Sequence, residues 1–298
     1  MRVDRIGEFG LIERLKKSIK TDSSVIKGSG DDCAVIKFNQ DQYLLFTCDT
    51  IVEGVDFRRQ DMPYLVGRKA LAASISDIAA CGGIPRYALL SLAIPKNISV
   101  HTIDKISQGI FNLAKRYNIN IVGGDISRAK QLMIDISMLG AVEKKYLALR
   151  SGAKKGDIIF VTGKLGGSIL RKHLEFTPRL KEARFLVKNF RVHSMIDISD
   201  SLTQDLGQIL KASKVGAIIY EGLIPLSKDA LSLADALYTG EDFELLFTLG
   251  HNEAKRLYAK RPKAFRPIGE IMDRRYNLIL VDKKGKGKII KPRGFQHF

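Results

Sequence analysis

Nine acidic residues in this chain stand at the edges of apolar segments, next to glycine or other small residues. They fall in six short stretches, GDDCAVI, TCDT, ISD, GGD, DISD and GED. In order they are Asp31, Asp32, Asp49, Asp77, Asp125, Asp197, Asp200, Glu241 and Asp242. The chain as a whole has 49 Lys and Arg against 32 Asp and Glu. Acids gathered in this way in a basic protein need an explanation.

Three roles would explain a carboxylate at such a junction. Asp favours helix N-caps and turns, and Asp32, Asp200 and Asp242 each allow that structural role. A pair of carboxylates could act as general acid and general base, as in glycoside hydrolysis. Carboxylates are also the ligands that Mg²⁺ takes in proteins, together with the phosphate oxygens of a substrate.

The repetition of the pattern favours the third role. A glycosidase needs two carboxylates, whereas a site that joins two polyanions needs several metal ions to neutralise phosphate charge. Glycines of the same stretches would let the backbone approach phosphates closely. No P-loop, Rossmann or protein-kinase motif occurs, and the five histidines form no ligand pair. The sequence therefore predicts a metal–phosphate site built from acids.

Alternating helices and strands must position these acids. Apolar spacing predicts helices over residues 8–20, 64–81 and 102–117, and strands at CAVIKF, QYLLFTC, RYALLSLAIP, INIVGG and QLMIDISMLGAV. The pattern restarts after LRSGAKKGD with the strand IIFVTG. Helices over 179–189 and 201–213 follow, with strands at SMIDIS, VGAIIY and FELLFTL. We therefore predict an α/β (α+β) protein of two domains, residues 1–148 and 149–298.

Composition limits the setting of the protein. No apolar run reaches the roughly 20 residues that cross a bilayer, and the charged N-terminal residues contain no signal sequence, so we expect a cytoplasmic protein without a membrane partner. A net charge of +17 suggests an anionic partner: nucleic acid, an acidic membrane surface or a phosphorylated small molecule. The cluster KKGKGK at 283–288 is predicted to be a hairpin turn, and no nucleic-acid-binding motif is found. Cys33, Cys48 and Cys81 are predicted to be buried, reduced thiols.

An ordered series of motifs along nearly the whole chain resembles the thiamine-monophosphate kinases, of the superfamily that includes aminoimidazole ribonucleotide synthetase. The series runs from GEFGLI through GDDCAVI, FTCDTIVEGVDF, GRKALAASISDIAACGGIP, IVGGDISR and LRSGAKKGDIIFVTG to IDISDSLTQDL, GEDFELLFT and the terminal GFQHF. The resemblance implies Mg²⁺-dependent transfer of a phosphoryl group from ATP to thiamine monophosphate. It also implies an N-terminal domain that binds ATP and Mg²⁺ and pairs through a shared barrel in a homodimer.

Matching motifs carry the expected roles to residues of this chain. The catalytic residues would be Asp49, Asp77 and Asp125. The ligands of several Mg²⁺ ions would be Asp32, Thr47, Cys48, Asp49, Asp77, Asp125, Asp197 and Asp200. The ATP phosphates would be held by Gly123, Gly124, Asp125, Arg150 and Ser199. The acceptor would meet Asp56, Glu241 and Phe295, with Glu241 facing the cationic thiazolium.

Three positions depart from the family pattern. Cys48 replaces a hydroxyl residue, Asp56 stands where histidine is frequent, and Ser201 stands where glycine is usual. Two alternatives therefore stay open. One is an enzyme of the same superfamily with a different acceptor. The other, which we do not expect, is a basic nucleic-acid-binding module whose affinity would fall steeply with salt.

Overall fold

The computed structural model describes residues 2–260 and 265–298, which fold into two sheets flanked by helices. The helices are α1 Gly7–Lys16, α2 Pro63–Ala80, α3 Val100–Tyr117, α4 Lys172–Glu175, α5 Leu180–Asn189, α6 Leu202–Ser213, α7 Leu233–Tyr238 and α8 His251–Lys260. The strands are β1 Val25–Lys27, β2 Ala34–Lys37, β3 Gln42–Val52, β4 Ile84–Ile94, β5 Asn120–Arg128, β6 Met133–Glu143, β7 Ile158–Thr162, β8 Val192–Asp197, β9 Gly216–Tyr220, β10 Leu245–Leu249, β11 Phe265–Met272, β12 Leu278–Val281 and β13 Gly287–Ile289.

The N-terminal half is a six-stranded sheet in the order β1-β2-β3-β6-β4-β5. Neighbouring strands are antiparallel except for the parallel pair β4–β5. Alternate residues of β3, among them Leu45 and Ile51, face α2 and are buried. Small residues fill α2, so the helix lies close to both the sheet and α3. Most of α2 is buried as a result.

The opposite face of this sheet is open. Phe46, Tyr87 and Leu89 are exposed on it, each by close to half of its surface (45%, 47% and 45%). The edge strand β5 is also exposed over nearly its whole length. This is the half for which the family resemblance implies pairing with a second chain.

The C-terminal half is a seven-stranded sheet in the order β13-β12-β9-β11-β7-β10-β8, antiparallel except between β12 and β9. The predicted turn at 283–288 joins β12 and β13 as a hairpin, which confirms that prediction. The predicted boundary between residues 148 and 149 falls in the connection between β6 and β7. The two-domain mixed α/β architecture is therefore as predicted.

The two halves share a continuous apolar contact. Leu174, Phe176 and Phe243 of the C-terminal half pack in the core of the N-terminal half. The rings of Phe176 and Phe243 are stacked, with centroids 3.9 Å apart. Arg68 of α2 donates hydrogen bonds to the carbonyls of Leu174, at 3.1 Å, and Phe176. Helix α2 is therefore the element that ties the halves together.

Two local predictions were wrong. The first helix ends at Lys16 and not at residue 20; none of its residues is buried, so no packing extends it. Cys33 and Cys81 are buried as predicted, but Cys48 is exposed because it points to the uncovered face of the sheet. None of the helices in the described part of the chain is long and apolar enough to cross a membrane.

The crossing of α2 and α3 depends on two glycines. A Cβ atom on Gly67 would lie 2.0 Å from the carbonyl oxygen of Ile106, and one on Gly109 would lie 2.0 Å from that of Tyr64. We expect Gly67→Ala to lower the free energy of unfolding by about 3 kcal/mol, since the helices would be forced apart. Chemical denaturation measures this change. Gly222→Ala is the matched control, because nothing lies within 4 Å of the added atom; equal stability of both variants would contradict the close-packing argument.

Candidate active site

Four carboxylates from four elements meet between the two halves. Asp32 precedes β2, Asp49 lies in β3, Asp77 lies in the last turn of α2, and Asp197 ends β8. One oxygen from each of Asp32, Asp77 and Asp197 lies within 4.8 Å of the other two. Asp49 joins them through a hydrogen bond with Asp77. We call these four residues the carboxylate cluster; all four were predicted from the sequence as metal ligands.

Hydroxyl groups hold the cluster in place. Ser74 donates to Asp49 at 2.7 Å, and Ser76 donates to Asp197 at 2.6 Å. Thr47, two residues before Asp49 on the same face of β3, donates to Asp77. Helical spacing explains the arrangement, because Ser74 and Asp77 lie three residues apart on one side of α2. Thr47, a predicted metal ligand, therefore positions Asp77 here.

Burial and mutual repulsion raise the pKa values of the cluster. Burial raises the pKa of Asp197 to about 7 and that of Asp49 to about 6. The pKa of Asp77 lies well above its usual range, first because the side chain is buried and then because Asp49 and Asp197 repel its charge. Acids in such an environment favour a proton or a metal cation over free charge.

The donor set of the cluster fits a cation. Among the salt bridges of the described residues one reaches the cluster, from Nη2 of Arg150 to Oδ1 of Asp32 at 2.7 Å. The other oxygen of Asp32, Oδ2, is buried and accepts no hydrogen bond from the part of the chain that the structure describes. A buried carboxylate oxygen without a donor is costly unless a cation binds it. Hard oxygen ligands of this kind suit Mg²⁺.

A basic cavity of about 410 Å³ opens beside the cluster. Its wall contains four cations, Lys16 of α1, Lys27, Lys211 of α6 and Arg150, and two acids, Glu13 and Asp31. The backbone N–H of Arg150 donates to Oδ1 of Asp31 at 3.1 Å. Arg150 thus stands between the acids of the cluster and a cavity in which cations predominate, where an anion could approach.

The loop after β8 carries two further predicted residues. Ser199 accepts a hydrogen bond from the backbone N–H of Glu241, and burial followed by repulsion from Glu8 raises the pKa of Asp200 to about 6. Asp205, which the sequence analysis did not select, is buried and accepts hydrogen bonds at 3.1 Å from the N–H groups of Asp200 and Ser201. The sequence signal that could have identified Asp205 is an acidic residue in the first turn of a predicted helix. Asp205 fixes the loop that presents Ser199 and Asp200.

The three residues predicted to meet the acceptor line one small cavity of about 220 Å³ between the halves. Asp56 contributes from the loop after β3, Glu241 from the loop before β10, and Phe295 from the C-terminal segment. Tyr238 adds a second aromatic ring to the wall. We call this the acceptor-side cavity. Aromatic rings beside carboxylates are suited to an aromatic cation.

Lys69 lies behind the acceptor-side cavity and was not selected from the sequence. Its ammonium group forms a salt bridge with Glu241, and its side chain is only 1% exposed. The signal was a lysine inside the otherwise apolar helix segment GRKALAASISD, since a buried lysine needs a counter-ion.

Asp125 and Cys48 lie on the other face of the N-terminal sheet, away from the carboxylate cluster. Asp125 is opposite Ser91 and Ser91 is opposite Asp135, and all three share the face that α2 does not cover. Asp125 accepts a hydrogen bond from Ser127 at 3.0 Å, and Cys48 lies 3.2 Å from Asp135. Within one chain the structure therefore separates these two predicted ligands from the other acids.

The backbone conformation and the close strand packing before Asp125 require glycine at two positions. Gly123 has φ +156°, which side-chain-bearing residues avoid, and a Cβ on Gly124 would collide with the carbonyl of Leu90. The pairing of β4 with β5 is irregular at this point. The two glycines therefore shape the edge strand that carries Asp125.

Comparisons with known proteins show the family of the chain. Residues 30–142 match the family AIR synthase related protein, N-terminal domain, and residues 146–281 match its C-terminal domain. The thiamine-monophosphate kinase of Buchnera aphidicola subsp. Schizaphis graminum is 36% identical over 98% of each chain. That of Bacillus subtilis is 32% identical over 98% of this chain and 99% of its own. A solved structure of AaThiL complexed with AMPPCP and TMP covers 100% of this chain and 99% of its own, with TM-score 0.88 and 29% identity.

The raised pKa values predict how stability changes with pH and Mg²⁺. Because the folded pKa values of Asp49 and Asp197, about 6 and about 7, exceed the ordinary 3.8, these acids stabilise the fold while protonated. Without metal, their contribution to the free energy of unfolding should fall as the pH rises from about 4 to about 7. Mg²⁺ binds the deprotonated acids, so it should raise Tm more at about pH 8 than at about pH 5.

Thermal unfolding with and without Mg²⁺ measures both effects. Asp77→Asn should flatten the pH dependence and remove most of the Mg²⁺-induced rise in Tm. Asp104→Asn, which changes an exposed acid of α3, is the matched control and should behave as the wild type. An Mg²⁺ effect that is equal at both pH values would show that the ion binds elsewhere.

Proposed function

Because the chain belongs to the AIR synthase related proteins and to the thiamine-monophosphate kinases, we propose that it uses ATP to phosphorylate thiamine monophosphate to thiamine diphosphate. The observation that carries this proposal is the position of the carboxylate cluster. It lies between the two halves of the chain; Arg150 joins it to the basic cavity, and residues of both halves line the acceptor-side cavity. AaThiL, which is similar over the full chain, has been solved with AMPPCP, an ATP analogue, and TMP.

The reaction needs positioning more than proton transfer. The attacking atom is a phosphate oxygen of thiamine monophosphate, which is largely ionised at pH 7 because its second pKa is ~6. It forms a bond to the γ-phosphorus of ATP, and the bond from that phosphorus to the bridging oxygen breaks to release ADP. No histidine base is required. The protein must hold two anions in line and reduce their repulsion.

Mg²⁺ would be held by the carboxylate cluster, Asp32, Asp49, Asp77 and Asp197. Asp200 lies in the loop that follows Asp197. When bound, Mg²⁺ neutralises phosphate charge and orients the phosphate groups. The unpaired Oδ2 of Asp32 and the raised pKa values of the cluster support this role. The chain itself contributes rigid ligands, because Ser74, Ser76 and Thr47 fix three of the four carboxylates.

The ATP phosphates would approach from the basic cavity. Arg150 is positioned for this contact, since its guanidinium is held by Asp32 while it also lines the cavity. Lys16 and Lys27 lie in the same wall. We also propose that the ATP phosphates contact Ser199, Gly123 and Gly124, as the family resemblance implies.

The location in the cytoplasm and the absence of a nucleic-acid partner also remain predictions.

Thiamine monophosphate would place its thiazolium near Glu241 in the acceptor-side cavity, with Phe295 and Tyr238 beside its rings. Asp56 lies at the opposite wall. One oxygen of its carboxylate accepts a hydrogen bond at 2.8 Å from the N–H of Val52, so the side chain braces its own loop. This internal bond reduces the repulsion that Asp56 would exert on the acceptor phosphate.

We also propose a homodimer formed through the open face of the N-terminal sheet. Phe46, Tyr87 and Leu89 give this face an apolar surface, and β5 offers an unpaired edge. Asp125 lies on the same face. A second chain packed there would decide whether Asp125 serves the site of its own chain or that of its partner.

The proposed activity is tested by incubating the purified protein with ATP, Mg²⁺ and thiamine monophosphate. We expect thiamine diphosphate, separated by chromatography, only when all three are present. Asp77→Asn and Asp125→Asn should each lower kcat at least about a thousandfold, because both are assigned to the metal ions that would hold the reacting phosphates. Neither change should lower Tm in the absence of Mg²⁺. Near-normal kcat in either variant would refute the role of that residue.

Two controls sharpen this assay. Asp104→Asn should keep full activity, and ATP turnover that ignores thiamine monophosphate would point to another acceptor. A mixture of the two inactive variants should regain activity if Asp125 serves the partner's site, since one site of a mixed dimer then keeps both acids. No recovery would place Asp125 in the site of its own chain.

Asp56→His should be tolerated, with kcat/KM for thiamine monophosphate within about threefold of the wild type. The reason is that the contact between this loop and Lys69 uses the backbone carbonyl of Asp56 and not its side chain. Steady-state kinetics measure the change, with Asp56→Asn as a control that retains an acceptor oxygen. Complete loss of activity in the histidine variant would show that the carboxylate has a function of its own.

A further inference from the structure

Lys69 is a buried cation that the reaction described above does not use. It lies in α2 with 1% of its surface exposed, among the largest fully buried side chains of the described residues. A charged amine in such a place is costly unless close partners compensate it. Its partners are the carboxylate of Glu241 and the backbone carbonyl oxygen of Asp56, the latter at 2.6 Å.

These two partners belong to the two walls of the acceptor-side cavity that come from different halves of the chain. Asp56 lies in the loop that follows β3 in the N-terminal half, and Glu241 lies in the loop that precedes β10 in the C-terminal half. Lys69 itself does not line the cavity. One ammonium group therefore connects both walls from behind.

The backbone of the Glu241 wall is held at two further points. Its backbone has φ +62°, a left-handed conformation that non-glycine residues adopt rarely, so it needs support. Its N–H donates to the carbonyl of Ser199 at 2.6 Å, and its own carbonyl accepts from Ser168 at 2.6 Å. The salt bridge to Lys69 directs the side chain, which remains 23% exposed.

From this geometry we propose that Lys69 is a positioning residue that sets the width of the acceptor-side cavity and the orientation of the Glu241 carboxylate toward the acceptor's cationic ring. The inference rests on the proposed function. Lys69 touches neither substrate. Its removal should therefore weaken the binding of thiamine monophosphate and leave the ATP side, formed around Arg150 and the carboxylate cluster, largely unchanged.

The test is a comparison of Michaelis constants in the full-length enzyme. Lys69→Met should raise KM for thiamine monophosphate about tenfold or more and change KM for ATP by less than about twofold. A merely structural lysine would lower the amount of active enzyme, and hence apparent kcat, without separating the two KM values. Lys105→Met is the matched control: an exposed lysine of α3 that bonds Gln108 at 3.2 Å.

A double variant separates the folding role from the positioning role. Lys69→Met leaves Glu241 without its partner, so it should lower Tm, and adding Glu241→Gln should restore much of that loss. KM for thiamine monophosphate should stay high in the double variant, because neither the link between the walls nor the carboxylate is present. If Lys69→Met alone does not fold, the double variant is compared with Glu241→Gln alone, and a higher KM for thiamine monophosphate in the double variant is the expected result.

The possible results are distinct. Parallel changes in both KM values, or a normal KM for thiamine monophosphate in the double variant, would overturn the inference about Lys69 while the activity of the wild type stands. A wild-type enzyme that binds ATP but makes no thiamine diphosphate would overturn the proposed function, and this inference with it.

Discussion

The structure depends on holding several negative charges in a buried space where they repel one another. The clearest case is Asp77, because repulsion from Asp49 and Asp197 raises its pKa in addition to the effect of burial. One arginine cannot offset four carboxylates, so the cluster persists by accepting protons or cations. The hydroxyl groups of Ser74, Ser76 and Thr47 add directional bonds that keep the acids from turning away. Under the proposed function, Mg²⁺ would bind carboxylates that the fold has already brought together.

Helix α2 connects the carboxylate cluster to both halves of the chain. It supplies Asp77 to the cluster, Ser76 to Asp197 of the other half, and Lys69 to Glu241 in the wall of the acceptor-side cavity. Its small residues are a consequence, because a helix that must touch a sheet, α3 and the C-terminal half at once has no room for large side chains. The near contact of Gly67 with the backbone of Ile106 is the clearest case. Precise packing of one helix therefore fixes Ser76, Asp77 and Lys69 relative to their partners in both halves.

The sequence predicted the element order apart from β1 and α4, the two halves, and the acids of the carboxylate cluster, because these follow from local periodicity and from motifs. It did not separate Cys48 from Asp49, although adjacent residues of a strand point to opposite faces of a sheet. The motif alone suggested that both were ligands, and the structure puts only Asp49 with the other acids. The partners of Lys69 were beyond local reasoning, since Glu241 is 172 residues away in the chain. The predicted end of α1 was wrong for a related reason, because the length of the helix depends on packing that the apolar spacing does not reveal.

The protein combines an acidic centre with a net charge of +17. The two are compatible because the buried acids and the surface cations act over different distances. The cluster acts over a few ångströms, where burial makes each carboxylate a strong ligand for a cation. Surface cations act over roughly one Debye length, about 8 Å at physiological ionic strength, and attract anions to the cavities. ATP and thiamine monophosphate both carry phosphate, so an acidic surface would repel them before the metal ions could bind them. Burying the acids and leaving the lysines outside lets one chain attract two anions and still hold the cations that join them.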